Sequence, residues 1–284
     1  MDQKPLVTLT TDFGTADGYV GTMKGVIFRI VPAARLVDIS HQIGPQNVRQ
    51  AAYVLYTAYP FFPSYTVHLV VVDPGVGSAR RPIALRTPVG KFVGPDNGVF
   101  SYVMARERVE AIVELADPRY RLSQVSHTFH GRDIFAPAAA HLAAGVPITA
   151  LGPPVHDPVL IPSPRLEAIP GGIVGEVMHA DHFGNVITSL GLLEWKGDEL
   201  SLDPAFEQVG DKTHMPQRFR AEDAVIAVVG QEIAGVCRTY ADVEPDQVVA
   251  LVGSEGHLEI AVREGNAARR LGLQPGERVI VRLA

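Results

Sequence analysis

The sequence predicts an N-terminal α/β domain with a central, largely parallel sheet, followed by a smaller antiparallel β-barrel domain. Short β-branched apolar runs alternate with segments of helical periodicity through the first half, a pattern typical of parallel sheets covered by helices. Beyond the proline-rich window 153–170, helical periods become scarce and the apolar runs are short. The predicted boundaries are 1–162 for the first domain, 163–172 for a linker and 173–284 for the second domain.

Apolar runs that end at turn residues predict the strands of the first domain. These predicted strands are 6–11, 36–39, 67–72, 83–86, 91–93 and 111–115. Segments with apolar residues at helical spacing predict its helices, which are 15–30, 48–59, 99–105 and 134–144. In the second domain the short, turn-bounded runs predict an antiparallel barrel or sandwich. Its predicted strands are 173–178, 185–189, 199–202, 224–229, 248–252, 258–262 and 278–283.

Composition limits the classes of function. The chain has 284 residues, 46% hydrophobic and 20% charged, with a formal net charge of −6. This mild acidity argues against a nucleic-acid partner, which requires clustered Lys and Arg. The single cysteine, Cys237, excludes an internal disulfide and a cysteine-rich metal site. We expect no membrane segment, and no signal peptide is predicted at the N-terminus, so the expected location is cytoplasmic.

An aspartate follows the most apolar predicted strand of the chain. The run Val67–Val72 ends at Asp73, and Pro74 and Gly75 then form a turn signal. Ligands of open α/β sheets bind at the carboxyl ends of strands. Arg80 follows seven positions later, so the loop can return its guanidinium to the carboxylate. Taken alone, the motif is equally consistent with a turn aspartate that caps its own loop.

Other strand ends and loops supply further polar candidates. Asp12 also follows an apolar strand, and Asp96 follows another, so parallel strands would bring these acids to one edge. His130 lies in a loop just before the alanine-rich helix, where a lone histidine is more often structural. Asp133 is predicted to cap that helix. An aspartate, an arginine and a histidine brought together can orient and polarise a water molecule.

The second half contains two glycine-containing loops between predicted strands. One runs from Asp181 through Phe183 to Asn185, and a plain turn is one interpretation. Alternatively, Phe183 offers a stacking surface and Asn185 offers the donor and acceptor that match an adenine edge. The other loop contains Ser254, and a plain hairpin is the simpler interpretation there.

A metal site is the competing use for these side chains. The candidate ligand types show no tight ligand spacing, so we predict no metal and no cofactor. These residues are Asp12, His41, His68, Asp73, His127 and His130.

Six motifs occur together in one order, and together they resemble a known family. They are 10–14 (TTDFG), 72–77 (VDPGVG), 94–98 (GPDNG), 129–133 (FHGRD), 181–185 (DHFGN) and 253–256 (GSEG). Over nearly its whole length the chain resembles the S-adenosyl-L-methionine (SAM) hydrolases that form adenosine, also called SAM hydroxide adenosyltransferases. That family is related to the fluorinase and chlorinase enzymes.

The resemblance implies a fold, an assembly and a reaction. The implied fold is an α/β domain followed by a β-barrel domain, and the implied assembly is a homotrimer with active sites at subunit interfaces. The implied reaction is hydrolysis of SAM to adenosine and L-methionine by attack of an activated water on ribose C5′, without a cofactor.

The resemblance also implies residue roles. It assigns water activation to Asp73, Arg80 and His130. The implied substrate-binding residues are Asp12 for the ribose, Phe129 as a pocket wall, Phe183 and Asn185 for adenosine, and Asp181 and Ser254 for the methionine end.

Three alternatives remain open beside the hydrolase. The halogenases carry an aromatic residue at the position of Asp73 and an insertion before the Gly94 loop, and both differences favour a hydrolase. Glu255 stands where the halogenases have an arginine, and Gln46 replaces a tryptophan that lines their pocket. A non-catalytic SAM or adenosine sensor would not need the activating residues, and a metal-dependent phosphoesterase is the weakest alternative.

Overall fold

The computed structural model describes residues 4–206 and 218–283. Contacts between residues divide the chain into two compact units, Met1–Ile161 and Pro162–Ala284. Among the described residues, no helix is long and apolar enough to cross a membrane.

The described residues of the first unit, from Lys4 onward, form six strands and four α-helices. Its strands are β1 (Leu6–Thr11), β2 (Arg35–Ser40), β3 (Val67–Val71), β4 (Pro82–Thr87), β5 (Gly90–Pro95) and β6 (Ala111–Glu114). Its helices are α1 (Tyr19–Ile30), α2 (Val48–Ala58), α3 (Ser101–Arg106) and α4 (Ala136–Ala143). Short 3₁₀ turns occupy Tyr59–Phe61, Pro118–Tyr120 and Ile148–Ala150.

The six strands form one mixed sheet in the order β2-β1-β3-β5-β4-β6. The pairs β1–β2, β1–β3 and β3–β5 are parallel, whereas β4 pairs antiparallel with both β5 and β6. The predicted sheet was largely parallel, and β4 is the departure. The turn between Thr87 and Gly90 is too short for a crossover, so β4 and β5 can pair only as an antiparallel hairpin.

The core of the first unit lies between this sheet and helices α1 and α4. It contains Leu9 and Leu69 from the sheet and Met23 from α1, all fully buried. Helix α4 begins later than predicted, because a single π-helical turn over Gly131–Phe135 precedes it. Such a turn changes the direction of its side chains relative to an α-helix, and π turns are frequent at functional sites.

The second unit is built mainly from short strands, as the sequence predicts. Those that form the larger sheet are β7 (Leu166–Ile169), β8 (Gly172–Ala180), β9 (Val186–Thr188), β13 (Val225–Val228), β14 (Gln231–Ala234), β15 (Val248–Val252), β16 (Leu258–Val262) and β17 (Arg278–Arg282). Those that form the smaller sheet are β10 (Leu193–Lys196), β11 (Glu199–Leu202) and β12 (Arg218–Arg220). Helix α5 (Ala267–Leu271) and a 3₁₀ turn (Tyr240–Asp242) are further elements among the described residues of the unit.

The larger sheet follows the order β14-β13-β17-β8-β9-β16-β15, with β7 paired to β8. Every pairing described between these strands is antiparallel, and the sheet curves into a nearly closed, barrel-like form. Strand β7 lies inside the stretch 163–172 that was predicted to be a linker. Its residues pair regularly with β8 although prolines precede them. Proline lacks a backbone N–H and so removes only its own hydrogen bond from a sheet, not those of the residues that follow.

Candidate active site

Two strand ends bring two carboxylates to one edge of the mixed sheet. Strands β1 and β3 are parallel neighbours, with Thr11 opposite Val71 at their carboxyl ends. Asp12 follows the first of these residues, and Asp73 follows the second after Val72. Both aspartates line one cleft of about 500 Å³, so the prediction that these two acids share an edge is confirmed.

The loop after β3 returns Arg80 to Asp73, as the seven-residue spacing predicts. The Nε atom of Arg80 donates to Oδ1 of Asp73 at 2.8 Å, and its Nη2 donates to Oδ2. The two side chains are 9% and 6% exposed, so this bidentate ion pair is shielded from water. Gly77 permits the return with φ of 77°, where a Cβ atom would lie 2.5 Å from the carbonyl oxygen of His127.

Arg80 also donates a hydrogen bond to His130, so one guanidinium contacts both Asp73 and His130. Its Nη2 lies 2.9 Å from Nδ1 of His130. Arginine carries donors only, so Nδ1 must be the acceptor, and the proton of the neutral ring is therefore on Nε2. Burial, followed by the charge of Arg80, lowers the pKa of His130 below its ordinary value of 6.5. The ring is therefore neutral near pH 7.

Phe135, the last residue of the π turn, packs against the guanidinium of Arg80. The ring of Phe135 is fully buried, and the guanidinium carbon of Arg80 lies 5.0 Å from its centroid. This cation–π contact fixes the plane of the guanidinium while its edge remains free to bind Asp73 and His130. Sequence analysis did not identify Phe135, which looked like an ordinary core position of the predicted helix.

Asp133 does not cap helix α4, so that prediction is wrong. Its carboxylate is fully buried and accepts from the backbone N–H and the hydroxyl of Ser126, at 2.8 and 2.7 Å. The side chain of Arg132 also donates to it, at 2.5 Å. Although burial opposes the shift, these donors lower the pKa of Asp133. The π turn directs Asp133 back to the loop that carries Phe129 and His130, and so anchors that loop.

Asp12 is oriented by the backbone of a neighbouring loop. The N–H of Gln46 donates to Oδ2 of Asp12 at 2.8 Å. Gln46 has φ of 63°, a left-handed conformation that is uncommon for a residue with a side chain, and it lines the same cleft. Thr11, which directly precedes Asp12, is held by a hydrogen bond between its hydroxyl and Nδ1 of the buried His41, at 2.9 Å. One oxygen of Asp12 therefore remains available to a ligand.

Three aromatic rings line the cleft beside the two acids, and we call them the aromatic wall: Phe13, Tyr19 and Phe129. Their centroids lie 5.1 to 5.8 Å apart in tilted and edge-to-face arrangements. Phe129 was predicted as a pocket wall, whereas Phe13 and Tyr19 were missed. Tyr19 looked like a core position by its helical spacing, but it is the first residue of α1 and is 48% exposed.

Other predicted polar residues take structural partners. Asp96 accepts from Nε of Arg81 and from the backbone N–H of Val159, both at 2.8 Å, and does not line the cleft. His68 is buried beside Thr8 and stacked on Phe92, and burial lowers its pKa to about 3. Within residues 4–206 and 218–283, no group of three or more His, Cys, Asp or Glu side chains is arranged to hold a metal ion.

In the second unit, Asp181 organises the loop between β8 and β9. Its Oδ1 accepts from the N–H groups of Phe183 and Asn185, at 2.9 and 2.8 Å. Its Oδ2 accepts from the side-chain amide of Asn185 at 3.0 Å. In this geometry the Phe183 ring is 72% exposed. Asp181 binds the side-chain nitrogen of Asn185 and leaves its amide oxygen without a bond to Asp181.

Ser254 lies exposed in the turn between β15 and β16. A buried carboxylate, Glu259, lies close to this turn, because a Cβ atom at Gly253 would be 2.8 Å from its Oε2. Tyr240 donates its hydroxyl to Oε1 of Glu259 at 2.5 Å. Burial raises the pKa of Glu259, and the charge of Asp181 adds to that rise. Sequence analysis did not identify this pair.

Comparisons with known proteins identify the family of this chain. The sequence matches the family models described as SAM hydroxide adenosyltransferase N-terminal domain, over residues 7–152, and C-terminal domain, over residues 175–280. A protein named (R)-S-adenosyl-L-methionine hydrolase from Salinispora tropica is 40% identical, covering 99% of each chain. A fluorinase from an Actinoplanes species is 26% identical over 66% of this chain and 72% of its own.

A solved structure also matches. The crystal structure of an uncharacterized conserved protein from Thermotoga maritima has a TM-score of 0.83 and 34% sequence identity, covering 98% of this chain and 99% of that one. With both family models matched in order along one chain, the protein belongs to the SAM hydroxide adenosyltransferase family.

Proposed function

We propose that this protein is an enzyme that hydrolyses SAM to adenosine and L-methionine. The observation that carries the proposal is the bridge from Arg80 to both Asp73 and His130 at the edge of a cleft that also contains Asp12. A buried, ion-paired carboxylate with two lone-pair positions left can hold a water molecule in a fixed orientation. The relative from Salinispora tropica carries the name of this activity.

Asp73 accepts the proton of the attacking water in this mechanism. Nδ1 of His130 already accepts from Arg80, so His130 offers no free basic nitrogen while that bond persists. Arg80 pairs with the Asp73 carboxylate, and the neutral His130 accepts from the same guanidinium. General-base assistance of this kind contributes about 10²–10⁴-fold.

The water oxygen forms a bond to ribose C5′ while the bond from C5′ to sulfur breaks. The electron pair of that bond moves to sulfur, and methionine leaves as a neutral thioether without a general acid. The water proton passes to Asp73 and then to solvent. Alignment of the water with the departing sulfur supplies the main rate gain, up to about 7–11 kcal/mol in favourable systems.

The remaining residues bind the substrate in this proposal. Asp12 accepts hydrogen bonds from the ribose hydroxyls through the oxygen that Gln46 does not occupy. Phe183 and Asn185 contact adenosine, and Asp181 and Ser254 contact the methionine end. No cofactor and no metal take part.

Incubation of metal-stripped protein with SAM, followed by liquid chromatography, tests the proposal. We expect adenosine and methionine in equal amounts, at a rate that chloride or fluoride does not change. Asp73→Asn should reduce turnover by at least about 10²-fold. A 5′-halo-adenosine product would instead assign a halogenase, binding without turnover would assign a sensor, and full activity of Asp73→Asn would refute the water-activating role.

The sulfonium configuration is part of the proposal. The relative from Salinispora tropica is named for the (R) diastereomer, and we extend that preference to this chain. Separate incubation with each purified sulfonium diastereomer measures the preference directly. Equal rates for both diastereomers would contradict it.

A homotrimer with active sites at subunit interfaces is also proposed, from the resemblance. Light scattering of the purified protein measures the assembly. Mixing Asp73→Asn with Asp181→Ala, at a SAM concentration far below the raised KM expected of the second variant, tests shared sites, because subunit exchange would restore activity only if two subunits supply each site.

A further inference from the structure

The aromatic wall is not used by the water-activating residues, yet it lies next to them. Phe129 directly precedes His130, and Phe13 directly follows Asp12 along the chain. The position of a Cβ atom at Gly131 would be 3.2 Å from the Phe129 ring and 3.3 Å from Val71, at the end of β3. Phe129, one member of the wall, therefore lies near the strand end from which Asp73 emerges.

The substrate of the proposed reaction carries its positive charge on sulfur. A sulfonium has three carbon substituents and no N–H or O–H group, so it cannot donate a conventional hydrogen bond. Charge attraction to carboxylates and cation–π attraction to ring faces are the interactions left to it. Asp73 is already neutralised by its buried pair with Arg80, and Asp12 is assigned to the ribose hydroxyls, which leaves the ring faces as the adjacent partner of the sulfonium.

The wall already binds one cation. The guanidinium carbon of Arg132 lies 5.3 Å from the ring centroid of Phe129. Tyr19 is 48% exposed and lines the cleft, so its ring retains surface for a ligand.

We propose that the aromatic wall, and Tyr19 in particular, binds the sulfonium centre and so selects charged SAM over neutral thioethers. This inference rests on the proposed function, because it assumes a sulfonium ligand in this cleft. It assigns Tyr19 and Phe13 to substrate recognition, and it separates recognition of charge from activation of water.

The kinetic consequence follows from where the charge goes. The positive charge on sulfur disappears as the bond from C5′ to sulfur breaks, so a cation–π contact is strongest in the ground state. An interaction of that kind lowers KM without raising kcat. It also weakens as the neutral methionine forms, which favours product release.

Tyr19→Leu tests this inference. We expect KM for SAM to rise about 3- to 30-fold while kcat does not fall. The inhibition constant of S-adenosylhomocysteine, the neutral thioether that lacks the sulfonium methyl group, should change less than about twofold. Tyr19→Phe keeps the ring and should restore the KM. Phe61→Leu removes an aromatic ring that is 78% exposed and does not line the cleft, so it serves as the control.

Binding measured without turnover separates this inference from the proposed function. In an Asp73→Asn background, calorimetry with SAM and with S-adenosylhomocysteine gives the preference for charge directly. Tyr19→Leu should reduce that preference about 3- to 30-fold, whether or not the wild type releases adenosine. Equal weakening of both ligands, or a fall in kcat with unchanged KM, would overturn the inference.

Discussion

The cleft of the first unit and the loop 181–185 of the second unit hold their polar side chains in different ways. In the cleft, the key bonds join residues far apart in sequence, such as Arg80 with His130 and Asp12 with Gln46. In the second unit, Asp181 accepts hydrogen bonds from Phe183 and Asn185 of its own loop. The first arrangement exists only when several elements have packed, whereas the second is largely local.

This difference relates to the chemistry that each region is proposed to perform. Activation of water requires a carboxylate, a guanidinium and an imidazole at fixed mutual distances, and long-range packing provides that rigidity. Contacts to adenosine and methionine require an exposed ring and a few hydrogen-bonding groups. A short loop closed by one aspartate is sufficient for those contacts.

Removal of the central cation should give the largest effect. Arg80→Met leaves Asp73 buried and uncompensated, so we expect the free energy of unfolding to fall by about 3–5 kcal/mol and turnover to be lost. Urea denaturation measures the first effect. Arg282→Met is the matched control, since Arg282 pairs with Glu232 at 2.6 Å while both side chains are more than half exposed. That control should lose less than about 1 kcal/mol, and equal losses would contradict the distinction.

The loop anchor is expected to matter next. Asp133→Asn removes the charge that accepts from Ser126 and Arg132, and we expect a loss of about 1–3 kcal/mol. Displacement of His130 should also reduce kcat, by up to about 10²-fold. Asp117→Asn, in an exposed turn outside the cleft, should retain wild-type kcat. A wild-type kcat for Asp133→Asn would show that the loop keeps its place without the anchor.

The neutral state of His130 predicts an acid limit to activity. Burial and the charge of Arg80 lower the pKa of His130, while Asp73, Asp133 and the Ser126 backbone oppose the shift. Because the folded-state pKa lies below 6.5, the ring is neutral above pH 6.5 and activity is full in that range. Below the folded-state pKa, activity falls tenfold per pH unit. Stability falls in the same direction, because the unfolded state binds more protons.

His130→Asn tests the origin of this acid limit. The amide oxygen of asparagine can accept from Arg80 but does not titrate in this range. The acid limb of the profile of kcat/KM against pH should therefore move to lower pH. An unchanged limb would assign the titration to another group.

The smallest effect is expected in the second unit. Asp181→Ala removes an acceptor of local hydrogen bonds, and we expect a loss of about 1 kcal/mol and a higher KM for SAM with little change in kcat. Asp181→Asn keeps one carbonyl oxygen for the N–H groups and should cost less. A large fall in kcat with unchanged KM would show that this loop takes part in the chemistry.

Local sequence signals located much of the candidate site. The strand-ending acids Asp12 and Asp73 and the return of Arg80 follow from apolar runs, turn residues and loop length. The same signals were ambiguous for Tyr19, whose helical spacing pointed to the core. They were misleading for Asp133, because capping is judged from position along the chain, whereas the π turn changes the direction of the side chain.

By itself, the sequence determined the alternation of strands and helices in the first unit, the short antiparallel strands of the second, and the family motifs. These features depend on local periodicity and on residue types at fixed spacing. Only the tertiary structure decided the hydrogen bond from Gln46 to Asp12, the stacking of Arg80 on Phe135, and the aromatic wall. Each of these depends on packing between segments distant in sequence, where local propensity carries no information about the partner.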